Sequence, residues 1–291
     1  MRLRRTIVVA VLAVVILGAC GGDEDTGPVV QRPGDGDGIE HPPGADDLVL
    51  QVHTAGGLAA PPLAAIPELS VYGDGRAIVL GPTTLEFPGP ALPNLQQGFL
   101  NDEELQEVLR AATAAGLLDD EAPDYGDPGV TDLPTTRVTI NAGGVERTVS
   151  AYALAYEDGD DDLAPDQGEA RARLRELVAV VDGDVATESY EADAVAVFVR
   201  PYLTDEIPAA GRRDWPLGDL AGEGERYEGV DDTRCLVVTG DDARTVLDVA
   251  GDAREGARWS SGGSDYALVF RPLLPNEAGC DDLVPAQTAG A

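Results

Sequence analysis

The first run of apolar positions is unbroken. Ile7 to Leu17 holds eleven such residues, preceded by Arg2, Arg4 and Arg5 and ended by Gly18, Ala19 and Cys20. A spanning helix needs roughly 20 apolar residues, so the run has the length and flanks of a secretory signal peptide over residues 1–19. Alternation of apolar and polar positions begins only at Leu48, where Leu48, Leu50 and Val52 predict one face of a strand ending near His53. Leu69–Tyr72 and Arg76–Leu80 flank Gly73-Asp74-Gly75 and predict a hairpin, the Asp-Gly pair favouring the positive φ of a tight turn. Thr135–Asn141 and Val145–Leu154 predict a second hairpin around Ala142-Gly143-Gly144.

Helical periods lie between these strands. Asn101 and Glu104 have the spacing of a capping box, after which Leu105, Val108, Leu109 and Ala112 fall on one face and Gly116 stops the helix. Asp166 with Glu169 predicts the start of a second helix, with Ala170, Leu174, Leu177, Val178 and Val181 on one side. Beyond Gly183 come a strand at Ala194–Val199 and another at Cys235–Thr239. A helix capped by Thr239 and bearing Ala243, Val246, Leu247 and Ala250 follows, and then a closing hairpin of Ala257–Ser260 and Asp265–Arg271.

The strand, helix and hairpin series of residues 76–154 thus has a counterpart in 235–271. The predicted fold class is α+β: two small modules, each an antiparallel sheet with a helix packed on one face. The recurring order raises a pseudo-repeat, although letter-for-letter similarity between the halves is weak. The expected organisation is a lipoprotein signal peptide at 1–19, a disordered tether at 20–46 and a first module at 47–157. An acidic loop and connecting helix at 158–190, a second module at 191–282 and a disordered tail at 283–291 complete it. The tether is assigned on composition, because Gly, Pro and Asp dominate residues 21–46 and bury too little to offset ordering entropy.

Charge narrows the function. The chain carries 53 acidic residues against 20 arginines and no lysine, a formal net charge of −33. Nucleic acid is therefore excluded as a partner held by a basic footprint. Loss of residues 1–19 would remove three arginines and no acid, taking −33 to −36. An anionic membrane surface repels such a body, so contact with the membrane needs a lipid. Leu17-Gly18-Ala19-Cys20 has the form of a lipobox, with Cys20 as the lipidated residue and an ordinary cut after Ala19 as the alternative. Export by the Sec route is expected, and Arg4-Arg5 leaves a twin-arginine route open.

With Cys20 assigned to lipid, Cys235 and Cys280 remain. Spare thiols outside the cytoplasm usually pair, which predicts a structural disulfide, with a redox pair as the competing reading. No other constellation carries chemistry. His41 and His53 lack partners at zinc-ligand spacing, Asp35, Asp37 and Asp47 miss the calcium-loop frame, and Ser260-Ser261-Gly262-Gly263-Ser264 reads as turn residues rather than a nucleophile elbow. Trp215 reads as a plug at the edge of the second module, with an exposed interaction anchor as the alternative. No catalytic, cofactor or metal residues are assigned.

Leu69 to Arg76, Ala115 to Leu118, Asp124 to Asp132, Thr135 to Asn141 and Phe270 to Pro275 give the chain a phrase order that resembles uncharacterised lipoproteins of high-GC Gram-positive (actinobacterial) bacteria, over about Leu48 to Cys280. The resemblance implies an envelope lipoprotein with no assigned reaction and brings no catalytic residues with it. The expectation is a lipid-anchored protein on the extracytoplasmic face of the cell membrane, binding or structural in role, with an unidentified envelope protein as partner. A hydrolase whose acidic residues converge only in the fold and a cation- or solute-binding lipoprotein are the alternatives.

Overall fold

The computed structural model describes residues 38–57, 63, 65–181, 188–203, 210–228 and 230–283. The expected signal peptide, Cys20, the tether up to residue 37 and residues 284–291 lie outside the described residues. The two antiparallel-rich sheets and their helices make an α+β fold.

The first half builds a seven-stranded sheet from β1 (Leu48–Gly56), β2 (Leu69–Tyr72), β3 (Arg76–Leu80), β4 (Leu95–Phe99), β5 (Pro134–Ala142), β6 (Val145–Tyr152) and the short β7 (Glu188–Ser189). Its order is β6-β5-β1-β2-β3-β4-β7, antiparallel throughout. Registers such as Leu50↔Ile140 and Val52↔Val138 put their side chains on one face, as the strand period of two requires. That face is covered by α1 (Asp102–Ala114) and α2 (Pro165–Val181). Leu105, Val108, Leu109 and Ala112 of α1 are buried there, and Ala170, Leu174 and Leu177 of α2 join the same core.

The Asn101–Glu104 box is complete. Asn101 Oδ1 accepts from the Glu103 and Glu104 amides at 3.0 and 3.1 Å, while Glu104 Oε2 accepts from the Asn101 amide at 2.8 Å. The start of α2 departs from expectation. Pro165 takes the first helical position, where a missing N–H is harmless, so the expected cap Asp166 lies inside the helix, and Gln167 rather than Glu169 reaches back, its Oε1 accepting from the Ala164 amide at 3.1 Å. The expected connecting helix therefore belongs to the first module's core, because its apolar stripe is buried against α1 and the sheet.

Another boundary moves as well. Residues 39–46, expected in the tether, dock on the first module. Ile39 exchanges hydrogen bonds with the Gln106 side chain at 2.7 and 3.0 Å and packs on the core, and the Gly143 amide donates to Glu40 O at 2.7 Å. A Cβ on Gly73 would lie 2.0 Å from Pro42 O, so glycine is required where this segment crosses the β2–β3 turn. In that turn only Gly75 takes a positive φ, +86°, so the Asp-Gly pair does not form the doubly left-handed turn. Gly143 and Gly144 in the β5–β6 turn do, at +57° and +76°.

The second half forms a six-stranded sheet from β8 (Ala194–Pro201), β9 (Arg212–Asp214), β10 (Glu225–Arg226), β11 (Arg234–Thr239), β12 (Arg258–Ser261) and β13 (Ser264–Pro272), in the order β10-β11-β8-β13-β12-β9. Only β9 and β12 pair in parallel. The helix α3 (Gly240–Gly251) covers one face with Ala243, Val246 and Ala250; its N-cap Thr239 makes no side-chain capping bond. The opposite face buries Ala196, Phe198, Tyr227 and Leu273.

The pseudo-repeat fails on strand order. In the first sheet β1 pairs with the first arm of the hairpin that follows the helix, β5; in the second β8 pairs with the second arm, β13. The hairpins are attached in opposite senses, so the shared order of elements does not reflect a shared topology.

Candidate functional site

Most of the buried chemistry sits where the segment after β13 runs between the two sheets. Leu274 joins Tyr72, Ile78 and Leu95 of the first sheet's second face, while Leu273 packs under the second sheet. Polar groups thread this seam. Arg271 is 1% exposed and pairs with Glu277, 8% exposed, through Nη2 and Oε1 at 2.6 Å. Its Nε donates to Ala65 O at 3.2 Å and its Nη1 to Pro272 O. Glu277 Oε2 accepts from the Leu274 amide at 2.7 Å. Tyr72 Oη donates to Asn276 Oδ1 and Tyr190 Oη to Leu273 O, both at 2.8 Å.

Burial decides the electrostatics here. It pushes the Glu277 carboxyl above its ordinary range, although Arg271 and the Leu274 amide oppose the shift, and it lowers the Arg271 guanidinium against the pull of Glu277. The phenols respond alike: burial raises Tyr72 and takes Tyr190 to about 12. His53, half-buried and with no hydrogen-bond partner for its buried Nδ1 among the described residues, is held below its usual value first by burial and then by the cations Arg137 and Arg271. The seam is thus a set of charged and polar groups satisfied mainly by one another. Its chemical capacity is to fix the tail between the sheets.

A second buried cation does similar work in the first module. Arg171 donates to the carbonyls of Tyr152 and Ala153 at 3.0 and 2.7 Å, joining α2 to the end of β6. Neither arginine was singled out from the sequence. The available signal was an arginine at a core position of an apolar stretch, Arg271 between Phe270 and Pro272, and Arg171 beside Ala170 on the helix stripe.

The assigned cysteines fare differently. Cys235 of β11 and Cys280 of the tail are joined as a disulfide across 45 positions, with Cα atoms 6.1 Å apart. Cys20 lies outside the described residues, as do Asp35 and Asp37, while the Asp47 carboxylate accepts from the Gly44 amide at 2.8 Å. Trp215 is 7% exposed and packs in the α3 core, where it closes the edge of the second sheet. His41 Nδ1 lies 3.0 Å from Pro42 O in the docked segment.

A surface cleft of about 540 Å³ on the second half is lined by Arg212, Asp214, Trp215, Asp219, Ser260 and Ser261 among others. Its hydroxyls are engaged: Ser260 Oγ donates to Asp265 Oδ1 at 2.9 Å and accepts from Arg212 Nε at 2.7 Å, and Ser261 Oγ accepts from the Leu220 amide at 2.9 Å. Asp265, bonded by Arg258 and Ser260, is held below the usual carboxylate range. The serine run is therefore a hairpin turn tied to its neighbours. Among the described residues no helix is long and apolar enough to cross a membrane, and no group of three or more His, Cys, Asp or Glu is placed to hold a metal ion.

Neither a model of a known protein family nor a curated protein matches the chain.

Proposed function

We propose that the protein is anchored by lipid on Cys20 to the extracytoplasmic face of the cell membrane, where it acts by binding or structural association rather than by catalysis. The observation that carries the reading is the fate of the three cysteines. One stands directly after the apolar leader in a lipobox, and the other two are joined to each other. A disulfide is at home in an exported protein and rare in a cytosolic one, so it supports export independently of the leader. The resemblance to actinobacterial lipoproteins supports the same address.

The seam supports the non-catalytic half of the reading. Arg271, Glu277, Tyr72 and Tyr190 are the kind of shifted, buried groups that mark many active sites, yet here Arg271 and Glu277 bond each other, Tyr72 bonds the Asn276 side chain, Tyr190 bonds Leu273 O and Arg271 also bonds Ala65 O. They serve the architecture. Eighteen residues separate Cys20 from Ile39, a span of at most about 60 Å when fully extended, so the body could work close above the bilayer.

The test is Cys20→Ala in the full-length gene expressed in a high-GC Gram-positive host. The wild type should fractionate with membranes and carry two or three acyl chains by intact mass, and the variant should lose both properties. An unmodified Cys20 thiol in the native protein would overturn the reading.

A further inference from the structure

The β3–β4 loop, residues 81–94, holds its apolar tip outward. Leu85 is 105% exposed and Phe87 79%, two of the three most exposed large apolar side chains among the described residues. Isolated surface leucines need no explanation, but two large apolar groups two positions apart on one projecting loop form a patch that binding would bury.

The loop is braced rather than loose. At its neck the Gly81 amide donates to Asn94 O at 2.7 Å and Asn94 Nδ2 to Pro82 O at 2.9 Å. Its second limb is strapped to the turn after α3: the Glu255 amide donates to Gly89 O at 2.9 Å, the Ala91 amide to Ala253 O at 3.1 Å, and Leu92 packs on the second core. Glu86, between the two apolar residues, is drawn off to Arg254 at 3.0 Å. Little ordering entropy remains to be lost at the base of the tip when a partner covers it.

Charge and position select the occupant. The Glu86 carboxylate and that of Glu255, which approaches Gly89, flank the tip of a body whose formal charge is strongly negative. A second copy would bring the same charge, and an anionic bilayer would repel it. Residues 45–47 cross the opposite end of the first sheet, where Asp47 O and Ala45 O bond Gly73 and Arg76; the loop leaves from the Leu80 and Leu95 end. The five residues of β3 put about 17 Å between these ends. The tip thus projects from the end of the first sheet opposite residues 45–47; only the extracytoplasmic location is taken from the anchored reading of the protein.

We infer that Leu85 and Phe87 are the anchor residues of a docking surface for an envelope protein that offers an apolar pocket rimmed by lysine or arginine. Their burial supplies the affinity, and Glu255, with the negative charge of the body behind it, meets the cationic rim while Glu86 stays paired with Arg254.

The experiment places p-benzoyl-phenylalanine at position 87 of the full-length protein in intact cells, with position 148 on the exposed edge strand as control. A single protein adduct at position 87, at least tenfold above the control and lost in the Leu85→Asp background, is expected. The captured protein, purified, should bind the wild-type body at least tenfold more tightly than Phe87→Ser, and more weakly as salt rises. Both side chains are exposed, so unchanged melting of the variants separates lost docking from lost folding. Adducts to lipid alone, adducts to a second copy alone, no adduct above the control, or equal affinity for Phe87→Ser would each overturn the inference. The same experiment with Cys20→Ala keeps the two readings apart: if the anchor is wrong, the substitution changes neither the fractionation of the protein nor its capture through position 87.

Discussion

Replacing Arg271 or Glu277 singly should be at least as damaging as replacing both. The pair is almost fully buried, its contact is 2.6 Å, and desolvation shifts each group toward its neutral form despite the partner's attraction. The net worth of such a pair over an apolar one is small, but breaking it strands a charge and costs about 3–5 kcal/mol. Arg271→Met also orphans the carbonyls of Ala65 and Pro272 that the guanidinium serves. The expected losses are about 4 kcal/mol for Glu277→Leu and for Arg271→Met, roughly 10 °C in Tm. The double variant should lose no more than either single one. Denaturant melts followed by the fluorescence of Trp215 and Trp259 give the cycle.

The pH dependence separates electrostatics from packing. A carboxyl whose pKa is raised on folding binds its proton more readily in the folded state. The stabilisation this gives is complete below the unfolded value of 4.5 and is lost as pH rises through the folded value. Arg271→Met removes a group that lowers the Glu277 pKa, so that pKa climbs further and the variant regains stability as pH falls from 7 toward 4.5. Asp282 faces the same carboxyl and adds to the rise. His53 moves in the same sense: its depressed pKa costs stability as pH falls below 6.5, and loss of Arg271 relieves that cost. The series is therefore run in a His53→Gln background. Glu277→Leu leaves a guanidinium that stays charged, so its deficit should not close. Additive single losses, or an Arg271→Met deficit that is constant from pH 7 to 4.5, would refute the reasoning.

Two further outcomes follow from local structure. Opening the disulfide by Cys280→Ala should cost about 4 kcal/mol in the chain-entropy model for a 45-residue loop, read as a lower denaturation midpoint that added reductant no longer changes. Asn101→Ala should cost about 1 kcal/mol by orphaning the Glu103 and Glu104 amides, while Asn101→Asp, which preserves the acceptor, should stay near wild type in the same melt.

What the sequence made legible was chemistry confined within one element. The capping box of α1 needs only positions 101 and 104, and the β5–β6 turn needs only two glycines, so both could be read directly. The strand β4 could not: Leu95-Gln96-Gln97-Gly98-Phe99 has weak strand propensity and is held by pairing with β3 and β7. The short β9 and β10 likewise exist because a neighbour offers an edge. The apolar stripe of α2 was legible, but the surface it would cover was a tertiary matter. The docking of Ile39 was hidden because its partner, Gln106, lies 67 residues away. The candidate site divides in the same way. The cysteines could be paired by counting, whereas the ion pair of the seam needs a tail that folds back on the strand before it.

That tail explains why one disulfide in a protein of this size can matter. Residues 273–283 supply Leu273 and Leu274 to two different cores, Asn276 and Glu277 to the seam, and Cys280 to the bond with β11. Each contact presupposes that the tail lies between the sheets, and the disulfide is the covalent constraint that keeps it there. The stretch from Leu273 to Cys280 is short, so closing the bond restricts where Glu277 can be in the unfolded chain as well as in the folded one. The buried ion pair therefore need not stabilise the fold by itself. Its contribution is specificity, since a carboxylate held at 2.6 Å from Arg271 admits one register of the tail, and a slipped register would leave both charges buried and unpaired.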